Sequence, residues 1–136
     1  MNLTENFKSE EFQCNDGSQM SPKVFKNTVS LSIALQVVRD SIGYPINITS
    51  AYRSLEYNRS IGSKDTSQHV LGKAADLQVK ELIPIKLYET IEALIELGYI
   101  PEGGLGIYDT FVHYDIRGYK ARWDNRKIKY NDKNFK

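Results

Sequence analysis

Long apolar runs are missing from this chain. No stretch of about eighteen apolar residues occurs, so no membrane-spanning helix is expected. Met1 to Gln13 is polar and acidic and has no apolar centre, which does not read as a secretory signal; synthesis in the cytoplasm without a signal peptide is expected. Cysteine is nearly absent. Cys14 stands alone, so no internal disulfide can form, and a reducing compartment of synthesis fits. Nothing beside it would lower its thiol pKa, and Cys14 reads as a small, semi-buried residue rather than a nucleophile. An excess of one charge is missing too: 18 Lys/Arg against 17 Asp/Glu leave a net +1, and no nucleic-acid partner is expected. Internal repeats, low-complexity tracts and Pro/Gly/Ser linkers are also absent, so residues 1–136 are read as a single domain.

What is present has the make-up of a soluble globular protein. Hydrophobic residues make up 40% and charged residues 26% of the 136, enough for one modest core that buries about two thirds of the unfolded surface. Residues 1–22 read as an N-terminal arm, with Phe7 and Phe12 as anchors and Asn15-Asp16-Gly17-Ser18 as turn formers. Ser21-Pro22 is a helix start. From Pro22 to Ile42, Leu31, Leu35, Val38 and Ile42 fall at helical spacing, with Gly43 at the expected stop. Tyr44-Pro45 then launches an alternating run ending at Ser50, which predicts a strand. Ser54 can cap a short helix through Ser60, stopped by Gly62, and this puts Arg53 at a strand-to-helix junction. A strand from Ala74 places Ala74, Asp76 and Gln78 on one face and Ala75, Leu77 and Val79 on the other. Pro84 opens a second long helix with Leu87, Ile91, Leu94 and Ile95 on one side and Gly98 past its end. Its Glu89, Glu92 and Glu96 read as a solvated face.

Glu102-Gly103-Gly104-Leu105-Gly106 is no phosphate loop, because the Lys-Ser/Thr and the following helix are absent. Its glycines either let backbone approach a site closely or bend an incoming strand. Phe111 to Ile116 predicts a strand with Phe111, His113 and Asp115 on one face. Residues 117–136 hold eight Lys/Arg and two Asp, about +6 against about −5 for the rest. They read as a basic C-terminal tail, solvated, with Trp123 docking its start; attraction to an anionic polymer such as teichoic acid or nucleic acid is the alternative.

The chemistry concentrates in Ser67-Gln68-His69-Val70-Leu71-Gly72-Lys73-Ala74-Ala75-Asp76. A reversal at Gly72-Lys73 would set Leu71 against Ala74, Val70 against Ala75 and His69 against Asp76. Opposed residues have Cβ atoms about 4.5–5.5 Å apart, close enough for an imidazole and a carboxylate to share one ion at about 2.0–2.2 Å each. The chain holds only two histidines, and His113 is the one left to complete the set. Two histidines and one carboxylate leave the fourth position of a tetrahedral zinc open, the pattern of a catalytic rather than a structural site. Singly, each histidine would read as a packing or surface residue.

The order Ser67-x-His69-x-x-Gly72-x-Ala74-x-Asp76, followed by His113, resembles the zinc D-Ala-D-Ala carboxypeptidase and murein endopeptidase family, and most of all its short single-domain branch common in phages and prophages. The resemblance runs from about Phe7 to about Trp123. It includes Asn6-Phe7-x-x-x-Glu11-Phe12-x-Cys14, Ile48-Thr49-Ser50-Ala51-Tyr52-Arg53-Ser54, and Phe111-Val112-His113-x-Asp115-x-Arg117-Gly118. It implies Zn2+ held by His69, Asp76 and His113, an Arg53 that binds substrate or stabilises developing charge, and substrate contacts from Ser67 and Tyr52. The implied activity is hydrolysis, by attack of zinc-bound water, of a peptide bond in a peptidoglycan stem peptide, as a D,D-carboxypeptidase or murein endopeptidase. A lysin of this type acts on the bacterial wall after release, with a holin-type helper for export.

Such hydrolysis needs a carboxylate to take up a proton. Better-known branches of the family have an acid three positions before the last histidine, where this chain has Thr110. Asp109 lies one residue further back; Asp115 lies two ahead, on the ligand's own face. Asp115 is preferred as the base, or else as a partner orienting His113 or Arg53. Two other readings stand beside the peptidase: a zinc-containing cell-wall-binding module that has lost catalysis, as in hedgehog-type relatives, and a phage structural component docked through the basic tail. The fold expected is a small α+β domain, hedgehog/D,D-peptidase-like, with an antiparallel sheet carrying the ligands on one face and the two long helices packed on the other.

Overall fold

Capping chemistry sets the helix boundaries. In the computed structural model, which describes residues 1–127, helix α1 spans Pro22–Ile42; the Ser21 hydroxyl accepts the Val24 N–H at 3.2 Å, and Gly43 closes the helix at φ +74°. Helix α2, Leu55–Ser60, is capped by the Ser54 hydroxyl in the same way. Helix α3, Pro84–Glu96, starts on its proline without a side-chain cap.

Five strands form: β1 Asn47–Ser50, β2 Ala74–Gln78, β3 Gly104–Ile107, β4 Val112–Asp115 and β5 Ala121–Asp124. They form one sheet in the order β1-β2-β4-β3-β5. Every neighbouring pair is antiparallel except β3 and β5, which run parallel, so the sheet is mixed rather than purely antiparallel as expected. The reason lies in the loop after β4. Gly118 N–H reaches the Glu102 carbonyl at 3.1 Å, and Ala121 N–H reaches that of Gly103 at 3.3 Å. The chain therefore passes over the start of β3 and lands on its far side. Gly103 must be glycine at this crossing, because a Cβ there would collide with the Asp115 carbonyl oxygen.

The segment expected as a tail from Arg117 is thus part of the sheet through Asp124; residues 128–136 of that tail lie outside the described residues. Arg122 fastens β5 to the helix layer through Glu92 at 2.7 Å and Glu102 at 2.8 Å, and it also donates to the Gly103 carbonyl. Glu92, expected on a solvated face, is one end of this clamp.

The two sheet faces have opposite characters. Ala75, Leu77, Leu105, Val112 and Tyr114 join Leu31, Leu35 and Val38 of α1 and Leu87, Ile91, Leu94 and Ile95 of α3 in one core. The buried Tyr114 hydroxyl is satisfied by the Pro101 carbonyl at 2.7 Å. Phe7 and Phe12 of the arm also enter this core, their ring centroids 6.2 Å apart. Each buried phenylalanine contributes about 1.5–3 kcal/mol, so the arm is an integral part of the fold. Asp76 and His113, at alternate positions, face the other way.

Candidate metal centre

One row of residues crosses the sheet from edge to edge on the face away from the helices. A bulge between Ile48 and Ser50 brings Ser50 opposite Asp76; Asp76 pairs with His113, His113 with Gly106, and Gly106 with Trp123. Adjacent strands lie about 4.8 Å apart, so the row sets carboxylate beside imidazole without any long-range adjustment.

His69 reaches this row by a different route from the expected hairpin. Residues 67–73 form successive turns, with Val70 N–H on the Ser67 carbonyl, Leu71 on Gln68 and Gly72 on His69, so His69 is not paired across from Asp76. Gly72 sits at φ +72°, and Val24 and Thr28 of α1 leave no room for a side chain on it. The Thr28 hydroxyl and the Asn27 amide hold the Gly72 and Leu71 carbonyls at 3.2 and 2.9 Å. α1 therefore curls the segment so that its imidazole is delivered over the end of β2.

His69 Nε2 lies 3.3 Å and His113 Nδ1 3.2 Å from the same Asp76 oxygen, Oδ1. One ligand atom from each of the three residues lies within 4.8 Å of the other two, and all three residues are buried. Their hydrogen-bond partners define which nitrogen is available. His69 Nδ1 lies 2.7 Å from the Ala51 carbonyl, which can only accept, so a proton is on Nδ1 and Nε2 is the nitrogen turned toward Asp76. His113 Nε2 lies 2.7 Å from Asp115 Oδ2, which leaves Nδ1 for the centre. Arg53 holds the outer Asp76 oxygen at 3.4 Å, and is itself held by Ser50 and the buried Asn58.

Burial alone would raise the Asp76 pKa, but hydrogen bonds from His113 and His69 outweigh it and keep the carboxyl below its ordinary range. Asp115 follows the same logic, with burial outweighed by His113 and Arg117. His113 is the mirror case: burial would lower it, and its bonds to Asp115 and Asp76 leave it raised.

Asp115 is fully buried, and both its oxygens are occupied. Oδ2 takes His113 and Arg117 Nη2, both at 2.7 Å, while Oδ1 takes the Gly104 N–H at 2.9 Å and the Nε and backbone N–H of Arg117. Gly104 is glycine because a Cβ there would strike this carboxylate. The glycine run thus serves close backbone approach.

The triad lies in an open cleft of about 780 Å³, with Arg53, Lys64, Ser67 and Arg117 around it. Asp76 is the only carboxylate lining the cleft among the described residues. One wall is aromatic. The Trp123 indole leans across the bare Gly106 to lie 5.0 Å from the His113 ring, with the Arg117 guanidinium 5.6 Å from the indole. Tyr108 stacks on Phe111 at 4.2 Å and 9°, and its hydroxyl accepts the Trp123 Nε1–H at 3.0 Å.

The other residues expected at the site are distributed unevenly. Ser67 lines the cleft and its hydroxyl accepts the His69 N–H. Asp109 is exposed, binds the Lys127 N–H at 3.1 Å and does not line the cleft. Tyr52 lies near Cys14 and Asp16, which with burial raise its pKa, and it too is outside the cleft lining; Arg53, the next residue along an extended segment, points the other way. Tyr108, Arg117 and Trp123 were not expected here. Arg117 carried a signal, standing two residues beyond Asp115 at strand period. Trp123 carried none, since it joins the site only through the parallel β3–β5 pairing.

No curated protein matches this chain closely enough to count as a relative. The Peptidase M15 family matches residues 5–115, which include all three candidate ligands and all of the sheet except β5. That match covers well over half of the sequence, and the chain belongs to the M15 family of metallopeptidases.

Proposed function

We propose that this protein is a zinc peptidase that hydrolyses a peptide bond in bacterial peptidoglycan stem peptides, as a D,D-carboxypeptidase or murein endopeptidase. The observation that carries this reading is the convergence of His69 Nε2, Asp76 Oδ1 and His113 Nδ1 in an open cleft. Two imidazole nitrogens and a carboxylate oxygen suit zinc, and three protein ligands facing a cleft match a catalytic rather than a closed structural site. His69, Asp76 and His113 would hold the zinc, which would supply Lewis acidity and a water acidified to a pKa of about 7. The chain's own residues do the rest. The Ala51 carbonyl and Asp115 present the correct nitrogen of each histidine, and Arg53 turns the second oxygen of Asp76 away from the ligand position.

Of the two roles considered for Asp115, its enclosure supports that of positioning residue for His113. Of the cations lining the cleft, Arg53 is paired with Asp76 and Arg117 with the buried Asp115, which leaves Lys64 as the charge that a free carboxylate of a stem peptide would meet. In the same proposal the protein acts on the wall after release, a lysin-type role assisted by a holin-type helper.

One observation favours a second reading, a zinc-containing wall-binding module: no carboxylate beyond Asp76 lines the cleft among the described residues. Mass spectrometry of sacculi digested with zinc-loaded protein and with its His113→Ala variant separates the two. The peptidase gives new peptide termini with the wild type alone. Intact sacculi, with protein shown to hold zinc, would overturn the peptidase reading and turn the question to what the cleft captures.

A further inference from the structure

Tyr108 stands in the cleft with its hydroxyl proton unspent. Its oxygen accepts the Trp123 indole N–H at 3.0 Å, and it donates to no other described residue. The ring cannot swing away, because it is stacked on Phe111 and its backbone N–H is tied to the Phe111 carbonyl at 3.0 Å. The indole that anchors the hydroxyl is fixed in turn by the bare Gly106 beneath it, by His113 at 5.0 Å and by Arg117. A donor is thus held on the wall of the cleft, bonded to the indole that lies 5.0 Å from the His113 ring, with its proton turned to no acceptor among the described residues.

We infer that Tyr108 is a catalytic residue whose hydroxyl donates a hydrogen bond to the scissile carbonyl oxygen as negative charge develops there. The inference rests on the peptidase reading and adds a residue to it. Acyl transfer places charge on that oxygen, and a donor already aimed at its position stabilises it without reorganisation. The competing donors are less suited. Arg53 is committed to Ser50, Asn58 and Asp76. The Ser67 hydroxyl, like that of Tyr108, accepts one N–H, that of His69, but no ring stacks on it to fix its direction, and Thr66 stands exposed on a turn.

The test uses the full-length, zinc-loaded protein and Tyr108→Phe, which keeps the stacked ring and removes only the hydroxyl. Four quantities are measured: zinc stoichiometry, kcat and KM on a stem peptide cleaved by the wild type, and calorimetric affinity for a phosphinate isostere of that peptide. Zinc content unchanged, KM little changed, and kcat and phosphinate affinity both down by about 10²–10³ is the expected result, the size of loss seen on deleting one oxyanion donor. A kcat and phosphinate affinity within about threefold of wild type would overturn this inference while leaving the peptidase reading intact. Loss of zinc from Tyr108→Phe would also overturn it, making the hydroxyl part of the metal site's frame. A wild type that holds zinc and cleaves no stem peptide sinks the peptidase reading, and Tyr108 with it.

Discussion

Asp115 meets five hydrogen-bond donors with two oxygens, and replacing either oxygen by an amide nitrogen turns an acceptor into a donor facing donors. Asp115→Asn is therefore expected to weaken zinc binding about 10–100-fold, the usual cost of losing the partner that orients a ligating histidine. Competition against a chelating dye measures this. Zinc affinity unchanged with turnover lost would instead make Asp115 the base. Asp109→Asn, outside the cleft, should leave both quantities at wild-type values. Gly106→Ala is a second residue-scale prediction, because its Cβ would enter the Trp123 indole. The chain has a single tryptophan, so intrinsic fluorescence reports on this wall alone; a shifted emission maximum with zinc binding retained is expected. At this scale the triad was legible from the scarcity of histidine and from the order Ser67-x-His69-x-x-Gly72-x-Ala74-x-Asp76, since two histidines leave few alternatives. The path of His69 was not legible. A glycine followed by lysine fits a hairpin as well as a curl, and the choice was made by Val24 and Thr28, which lie far away in sequence.

The elements divide along the same line between local and distant causes. α1, α2 and α3 were readable to their ends, because Ser21, Ser54, Pro22, Pro84 and Gly43 act on their own few neighbours. β2 and β4 were readable because alternation follows from burying one face. β5 was hidden: a short stretch rich in Lys and Arg looks solvated until its non-local partners are known. Arg122 shows why, since its charge is matched by Glu92 from α3 and Glu102 from the loop before β3. Hydrogen bonding to Arg122 lowers the pKa of both glutamates below the ordinary value of 4.5. A carboxyl depressed in the folded state adds stability above its unfolded pKa, and that stability is lost as pH falls through the folded value. Wild-type stability should thus fall below about pH 4.5 with a component that Arg122→Gln lacks. Urea unfolding of both proteins between pH 6 and 3 measures it, and parallel curves would remove the clamp from the account. The effect is modest, because both glutamates are partly solvent-exposed.

At the scale of the whole molecule, the sheet separates two functions: α1, α3 and the arm supply the core on one face, and the row from Ser50 to Trp123 supplies the site on the other. Among the described residues no helix is long and apolar enough to cross a membrane. The triad draws on the turns after α2, on β2 and on β4, so a metal bound there ties together segments that unfold together. Zinc at about 100 times its dissociation constant adds about 2.7 kcal/mol to folding, which for a domain of this size corresponds to several degrees in Tm. Calorimetry before and after chelation should show this drop, reversed by zinc; an unchanged Tm for protein shown to have carried zinc would mean the site lies outside the cooperative unit. The position of β5 has a temporal meaning as well. Synthesis adds Tyr108 and Phe111, then His113, and only then Trp123, so a growing chain possesses every candidate ligand before it possesses the indole of the aromatic wall. The ligands can therefore be in place before the cleft is walled, and the wall is completed only when β5 has crossed over β3 and set the indole beside His113.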